Sequence, residues 1–384
     1  GAAGGTTAMK PAVAVFSTNF LEYSQTFVYE EIRHHVRYEA EVFTKRRLLP
    51  ERFPFDPVHV AGPLYGLQRR SRAFDARFRE RGFALVHAHF GVGAVYALPF
   101  ARRHQLPLVV TFHGYDVPLL FSRQRWWPAH WRYALLGRSV LRHMRLGLCA
   151  SAELRNMLIG LGVPGERLAV HRLGIDLSAF HPVPRLRDPF EVVMVGRFVE
   201  KKGFEYGIRA FARAASQAPN VRLTLVGEGP LQGELRHLTD ELALGEKVSF
   251  TGPLPPAEVA SRLARSHVLL APSVVDRHGN RESGLMVVKE ASAAETVPIG
   301  TLHGGIPEII DDGVTGYLVR ERDVQAMADR LTQLMTEPDR WRSMSLAARA
   351  KMQREYDVRD RARALEERYD EAIAMPRPEA ARNR

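Results

Sequence analysis

The chain has 384 residues, with 54 Lys+Arg against 43 Asp+Glu, a formal net charge of +11, 45% hydrophobic and 25% charged residues. That much apolar material builds cores and excludes global disorder, and at roughly 150 residues per domain the length suggests two domains. A single cysteine excludes a disulfide scaffold and a Cys-ligated structural zinc, and no apolar run approaches the ~18 residues of a membrane span.

The segment GAAGGTTA before Met9 carries no secretory pattern and is set aside as a cloning remnant, so a soluble cytoplasmic protein is expected. From Ala12 the chain alternates short apolar runs with helical patterns. The first strand starts at Ala12 and is followed by a helix through Phe27, Ile32 and Val36. ALVHAHF and LPLVVTFHG are further strands, and Cys149, in the apolar run LGLCA, reads as a buried thiol. In the second half the strands are EVVMVGRF, VRLTLVGEG, KVSFTG, HVLLAPS, TVPIGT and GYLVR, separated by patterns such as FEYGIRAFARAA and DVQAMADRLTQLM. Apolar runs of four to seven residues bounded by Gly or Pro suit strands buried on both faces. Their alternation with helices implies right-handed βαβ units and parallel sheets, here in two α/β, doubly wound, Rossmann-like domains. HPVPRLRDPF, from His181, has three prolines and suits a linker. The expected division is an N-terminal domain over 9–180, a C-terminal domain over 190–355, and a last helix and tail over 356–384 that packs back on the first domain.

The charge is uneven. Up to Pro182 there are 24 basic and 13 acidic residues, so the first half carries the whole excess. Between Ala101 and Ala150 stand eight arginines and one acid, Asp116, with Trp126, Trp127 and Trp131 among them. Such a surface attracts anions: nucleic acid, anionic lipid headgroups or a phosphorylated substrate.

In open α/β sheets ligands bind at the carboxyl ends of strands, and polar motifs cluster there. In GRFVEKKGF a strand ends at Gly196, then Arg197, Lys201, Lys202 and Gly203 lead into a helix. Cations and free N–H groups at a helix N-terminus suit a diphosphate. In ESGLMVVKEAS, Glu282 precedes a helix opening at Gly284, with Val287, Val288 and Ala291 turned inward, and Glu290 lies near its second turn. The pair is spaced to hold hydroxyl-bearing groups at the two ends of an extended ligand, as the ribose-binding acid of dinucleotide folds holds a diol. His113 and His89 each follow or end a strand at such an edge, whereas alternation turns His87 the other way. In VGEGP, Pro230 follows the second glycine, so a G-x-G-x-x-G fingerprint is absent; there is no P-loop and no D-x-D. No resident cofactor and no metal are expected.

These strings, in this order and spacing, resemble the retaining glycosyltransferases of family four, "glycosyl transferases group 1", which have the GT-B fold. The resemblance covers nearly the whole chain and is strongest from Val192 to Val319: VGRFVEKKG, LVGEGP, VSFTG, APS, the Glu-x₇-Glu pair and GGIPEIIDDGVTGYLV. In the first half it rests on SQTFVYEEI, AHFG, VTFHGYD, ASAEL and LGIDLSAF. It implies two Rossmann-like domains facing a central cleft and a UDP- or GDP-sugar donor held mainly by the second domain. Arg197 and Lys202, beside Gly196, would clamp the diphosphate; Glu282 would contact sugar hydroxyls and Glu290 the ribose. Gly284 and the backbone N–H groups of Leu285 and Met286 would add contacts, Leu254 would sit near the base, and His113 beside the reacting sugar. The chain departs from the common form in having Gly284 and Leu285 where Phe-Gly is usual, and Tyr23-Ser24-Gln25-Thr26 where many members have adjacent glycines.

The implied partners are a nucleotide-sugar donor, a saccharide or lipid-linked acceptor on the basic first domain, and an anionic membrane surface. Nucleic acid is not expected, since no helix-turn-helix, zinc module or aromatic RNA-binding strand is present. A sugar-nucleotide epimerase of the same architecture and a non-catalytic nucleotide-sugar or nucleic-acid-binding protein are the competing readings.

Overall fold

A computed structural model describes residues 9–378 apart from 23–24, 63, 123–126, 128–129 and 219. The chain forms two compact units, one made of everything up to Gly174 together with Val358 onward, the other of Ile175–Asp357. The first crossing point therefore lies at Gly174 rather than at 180. Ile175 pairs as a parallel bridge with Asp357, and its N–H donates to Tyr356 O at 2.9 Å, which ties these residues into the second unit. The expected linker is likewise docked there: the Arg185 guanidinium donates to Ala264 O (2.7 Å) and Glu295 O (3.2 Å) and lies over the Trp341 ring.

The first unit holds a seven-stranded sheet of β1 (Ala12–Phe20), β2 (Glu39–Arg47), β3 (Val58–Val60), β4 (Phe83–His89), β5 (Leu108–Phe112), β6 (Leu146–Cys149) and β7 (Leu168–Val170), in the order β3-β2-β1-β4-β5-β6-β7. Every pair in it is parallel. Four of these strands escape the sequence reading. β2 is the instructive one, because EAEVFTKRR looks like a charged surface segment. Its Glu41 is buried, yet accepts from Arg77 (2.6 and 2.9 Å), Arg81 (3.2 Å) and His59 (2.9 Å), so the carboxylate leaves water already paired. The first helix spans only Thr26–Arg33; Val36, expected on it, lies beyond its end and is exposed. Cys149 is buried, and burial pushes its thiol up to about 12.

The last helix, Val358–Ala374, packs into the first unit through Leu365, Tyr369 and Ala372, which share an apolar cluster with Val13, Val15 and Leu85 of the sheet. Glu366 pins it: one buried carboxylate oxygen accepts from the N–H groups of Val36 (2.7 Å), Arg37 (2.7 Å) and Tyr38 (3.0 Å). A charge-assisted bond of this kind contributes ~1.5–3 kcal/mol net, and three on one oxygen do not add. We expect Glu366→Ala to lower stability by about 3 kcal/mol, read as a shift of the urea midpoint at unchanged slope.

The second unit holds the six expected strands, all parallel: β8 (Phe190–Val195), β9 (Val221–Val226), β10 (Val248–Gly252), β11 (Val268–Ala271), β12 (Val297–Thr301) and β13 (Tyr317–Val319), in the order β10-β9-β8-β11-β12-β13. One sheet face is covered by the helix Phe204–Ala215, which buries Phe204, Ile208, Phe211 and Ala214 at helical spacing against Val192, Met194 and Leu223. Among the described residues no helix is long and apolar enough to cross a membrane.

Candidate functional site

In the second unit the strand order reverses beside β8, which has β9 on one side and β11 on the other. A sheet built this way leaves a crevice at the carboxyl ends of those strands. Gly196 follows β8 at φ +153° and donates its N–H to Val226 O at 3.0 Å. Arg197 comes next, exposed, and its guanidinium makes no hydrogen bond or ion pair among the described residues. A single 3₁₀ turn, Glu200–Lys202, leads to Gly203 at φ +63°, which caps the helix Phe204–Ala215. Val274 N–H donates to Lys201 O at 3.0 Å, locking this turn to the chain leaving β11.

Both lysines of the turn reach Glu282: Lys201 Nζ lies 3.0 Å from Oε1 and Lys202 Nζ 3.2 Å from Oε2. Burial alone raises the Glu282 carboxyl, but the Lys202 and Lys201 charges outweigh it and hold the group below its ordinary value. Glu282, expected to contact sugar hydroxyls, is also the anionic partner of a two-lysine cluster. Its backbone is fixed by residues the sequence reading missed. The Glu282 N–H donates to His303 Nε2 (2.9 Å), so that nitrogen is bare, and Nδ1–H donates to Glu321 Oε1 (2.7 Å). Glu321 Oε2 accepts from Val275 N–H at 3.0 Å. The signal for His303 was present in TLHGG, a histidine just past β12 with glycines after it, the same signature that singled out His113.

The helix carrying the second acid spans Met286–Ala293 with Leu285 at its N-cap, so it opens two residues later than the expected Gly284. Val288 and Ala291 are buried as expected, while Val287 is only half-buried. Burial raises the Glu290 carboxyl to about 7, against the opposing charges of Lys289 and Lys202. Lys202 thus acts on both acids. A small pocket at this edge is lined by Val195, Lys202, Ser273 and Leu285, and Leu254 and Met286 are partly buried against one apolar cluster of this unit. Gly196, Lys202, Glu282, Leu285 and Glu290 are therefore gathered at one strand edge, with Arg197 on the same loop, its guanidinium bonded to none of them. Among the described residues no group of three His, Cys, Asp or Glu is arranged to hold a metal ion.

In the first unit the corresponding edge holds His113, just past β5, and His89, the last residue of β4. His89 Nδ1 and His113 Nε2 are 3.1 Å apart with the rings stacked, and Phe90 and Phe27 flank His113 at 4.4 and 4.8 Å between ring centroids. Burial drives His89 down to about 4 and His113 well below its ordinary value, so both rings are neutral at pH 7, one nitrogen donating to the other. Asp116 shapes the loop: its buried carboxylate accepts from Gly114 N–H (3.0 Å) and from Gly91 N–H (2.9 Å). His87 is structural, as alternation indicated, with both ring nitrogens taken by Tyr369 Oη and Thr111 Oγ1 at 2.7 Å. Trp127 and Trp131 are about half exposed. Trp126, Tyr23 and Ser24, also singled out, lie outside the described residues.

Comparison with known proteins gives two family matches in tandem. "Glycosyltransferase Family 4" matches residues 25–179, and "Glycosyl transferases group 1" matches residues 179–351. Among similar proteins, a putative colanic acid biosynthesis glycosyltransferase of Escherichia coli K12 is 32% identical over 251 residues, 64% of this chain and 59% of that one. A GDP-mannose-dependent alpha-(1-6)-phosphatidylinositol monomannoside mannosyltransferase of Mycolicibacterium smegmatis is 30% identical over 280 residues, 68% of this chain and 70% of that one. The chain spans just under two thirds of the length of the first curated relatives it matches. In fold, HepE of Anabaena, solved in complex with UDP, superposes with a TM-score of 0.76 at 19% identity, covering 94% of this chain and 100% of that one. Two parallel-sheet α/β units of GT-B type, the gathered Lys-Lys/Glu edge and tandem matches running from residue 25 to 351 place the chain in the group 1 glycosyltransferases, family four.

Proposed function

We propose that the chain is a retaining, metal-independent hexosyltransferase that moves a sugar from a nucleoside-diphosphate sugar, UDP or GDP, to a saccharide or lipid-linked acceptor in cell-surface polysaccharide or glycolipid assembly. The observation that carries this reading is the edge of β8 and β11, where Lys201 and Lys202 close on Glu282 just before the N-terminus of the helix Phe204–Ala215, with exposed Arg197 earlier on the same loop. Three cations and a helix end suit a diphosphate leaving group. Relatives named for colanic acid, amylovoran and phosphatidylinositol mannoside synthesis support the class of acceptor.

In the proposed reaction the bond from the anomeric carbon to the diphosphate oxygen breaks, and both electrons leave with that oxygen. Lys202 and Arg197 stabilise the charge that builds there, a role typically worth several kcal/mol in a site closed to water. The acceptor hydroxyl attacks the oxocarbenium-like carbon from the face the diphosphate leaves, and its proton passes to the departing oxygen. Glu282, charged and fixed through His303, orients the lysines and receives sugar hydroxyls. The Leu285 and Met286 N–H groups and Gly284 contact sugar or phosphate, Leu254 lies near the base, and Glu290 accepts from the ribose diol. His113 is assigned to the sugar-transfer step. The arginine-rich first unit is assigned to the acceptor, at an anionic membrane surface.

Incubation with a nucleotide sugar and an acceptor tests the class. Transfer with the donor's anomeric configuration kept, read by NMR coupling constants, supports it; an epimerised donor appearing without acceptor contradicts it. A pH dependence also follows. Glu290 is charged above about 7 and neutral below, and the charged form is the better diol acceptor. Donor affinity should therefore fall by up to about tenfold per pH unit below that point. In Glu290→Gln the slope should vanish, with affinity low throughout.

A further inference from the structure

The excess charge of the first unit has a focus the proposed chemistry does not use. A recess of about 610 Å³ opens beside Pro107 and Leu108, where β5 begins. His113 follows the other end of the same strand, so five residues at ~3.3 Å each separate the recess from the carboxyl edge. Its walls come from the C-terminal turns of the helices Gly91–Arg103 and Trp131–His143 and from the chain after the last helix. They present Arg69, Arg102, Arg103, His143, Arg145 and Arg377, and no Asp or Glu.

Cations at helix C-termini have a local reason to be there, each gaining ~0.3–1 kcal/mol from the carbonyl ends. That applies to Arg102 and Arg103, and to Arg69 as the C-cap of the short helix Tyr65–Gln68, but not to Arg145 or Arg377. The partners on view are mostly neutral oxygens: Arg145 donates to Met375 O, Arg377 to Gln105 Oε1 (3.0 Å) and Arg69 to Val95 O (3.3 Å). Arg103 alone is matched by an acid, Asp75, and the Arg102 guanidinium makes no hydrogen bond or ion pair among the described residues. Arg145 is almost wholly buried, and burial together with the Arg377 charge pushes its guanidinium down from its ordinary value. Apart from the Arg103–Asp75 pair, the arginines of the recess are not matched by an acid among the described residues, and the volume is that of a small-ligand site.

We propose that this recess of the first unit is a second anion site, made of none of the residues of the proposed diphosphate site, which binds a phosphate or diphosphate group through bidentate arginine contacts. The group belongs either to a lipid headgroup or to a free phosphorylated compound. The wall helix carries Trp131 and Leu135 exposed on its outside, which suits the first source.

The test uses inorganic pyrophosphate as the probe in isothermal titration, with Arg197→Ala/Lys202→Ala as the background that silences the proposed donor site. Arg102→Glu/Arg377→Glu, two exposed positions, is the reporter, with circular dichroism confirming the fold. The site predicts saturable, salt-sensitive pyrophosphate binding in the background protein that falls at least tenfold when the charge reversals are added. The reversals alone should leave kcat for a water-soluble acceptor unchanged. Sedimentation with phosphatidylcholine vesicles, with and without 30% phosphatidylglycerol, separates the sources. Retention on anionic vesicles that the reversals abolish assigns a headgroup, and pyrophosphate binding without retention assigns a soluble ligand. Pyrophosphate affinity unaffected by the reversals, or absent from the background protein, overturns the proposal without touching the donor assignment.

Discussion

Lys202→Ala is expected to lower kcat by about two to three orders of magnitude, the effect of removing one preorganised charge from a developing anion. The geometry explains why this lysine matters more than its neighbour. Lys202 lines the pocket at the carboxyl ends of β8 and β11 and acts electrostatically on Glu282 and Glu290 alike. Lys201 reaches Glu282 at 3.0 Å but does not line that pocket. When Lys202 is removed, Glu282 keeps Lys201, so the carboxylate stays charged and the fold survives. Arg197→Ala should lose a similar fraction of turnover with no change in unfolding temperature, because the guanidinium has no partner among the described residues whose loss would be felt. Steady-state kinetics with the cognate donor check both. Turnover unchanged in both variants would remove the clamp.

Gly203→Ala is expected to destabilise the second unit by roughly 3 kcal/mol or more. An ideal Cβ at Gly203 falls 1.9 Å from Pro272 O, a backbone atom that cannot swing away, and φ of +63° adds ~1–2 kcal/mol for any L residue. Gly227 is its counterpart: φ is +130°, and a Cβ would lie 2.0 Å from Gly196 O. The two glycines let three chain segments close together behind Lys202, so each substitution should also displace the lysine and depress kcat beyond what partial unfolding explains. Gly233→Ala is the control, since a Cβ there meets nothing within 4 Å, and alanine should stabilise its helix by ~0.5–1 kcal/mol. Thermal unfolding should drop by roughly 6–12 °C for Gly203→Ala and hold or rise for Gly233→Ala.

The second unit was legible because its strands are short, apolar and bounded by glycine or proline, and because each motif follows a strand. The first unit was harder to read. β2 hides a buried Glu41 whose partners, Arg77 and Arg81, lie on a helix some forty residues away, and no local pattern announces that pairing. The helix through Val36 was read too long because Glu366, 330 residues later, supplies acceptors that let the chain turn out of the helix. At the candidate site Glu282 and Glu290 both feel the charge of Lys202. What their spacing left out was that two adjacent lysines turn onto Glu282 and that His303 and Glu321 hold its backbone, since these come from three different strand ends. Long-range polar pairing lies behind the misreading at β2 and at Val36; periodicity carried the reading of the second unit.

In the proposed reaction the turn after β8 grips the diphosphate of a nucleotide sugar. Difference electron density from crystals soaked with UDP or GDP tests it most directly. A β-phosphate is expected within hydrogen-bonding distance of Lys202 Nζ and the Arg197 guanidinium, with the ribose against Glu290. Density for an ordered nucleotide elsewhere on the second unit, with those three side chains unengaged, would contradict it.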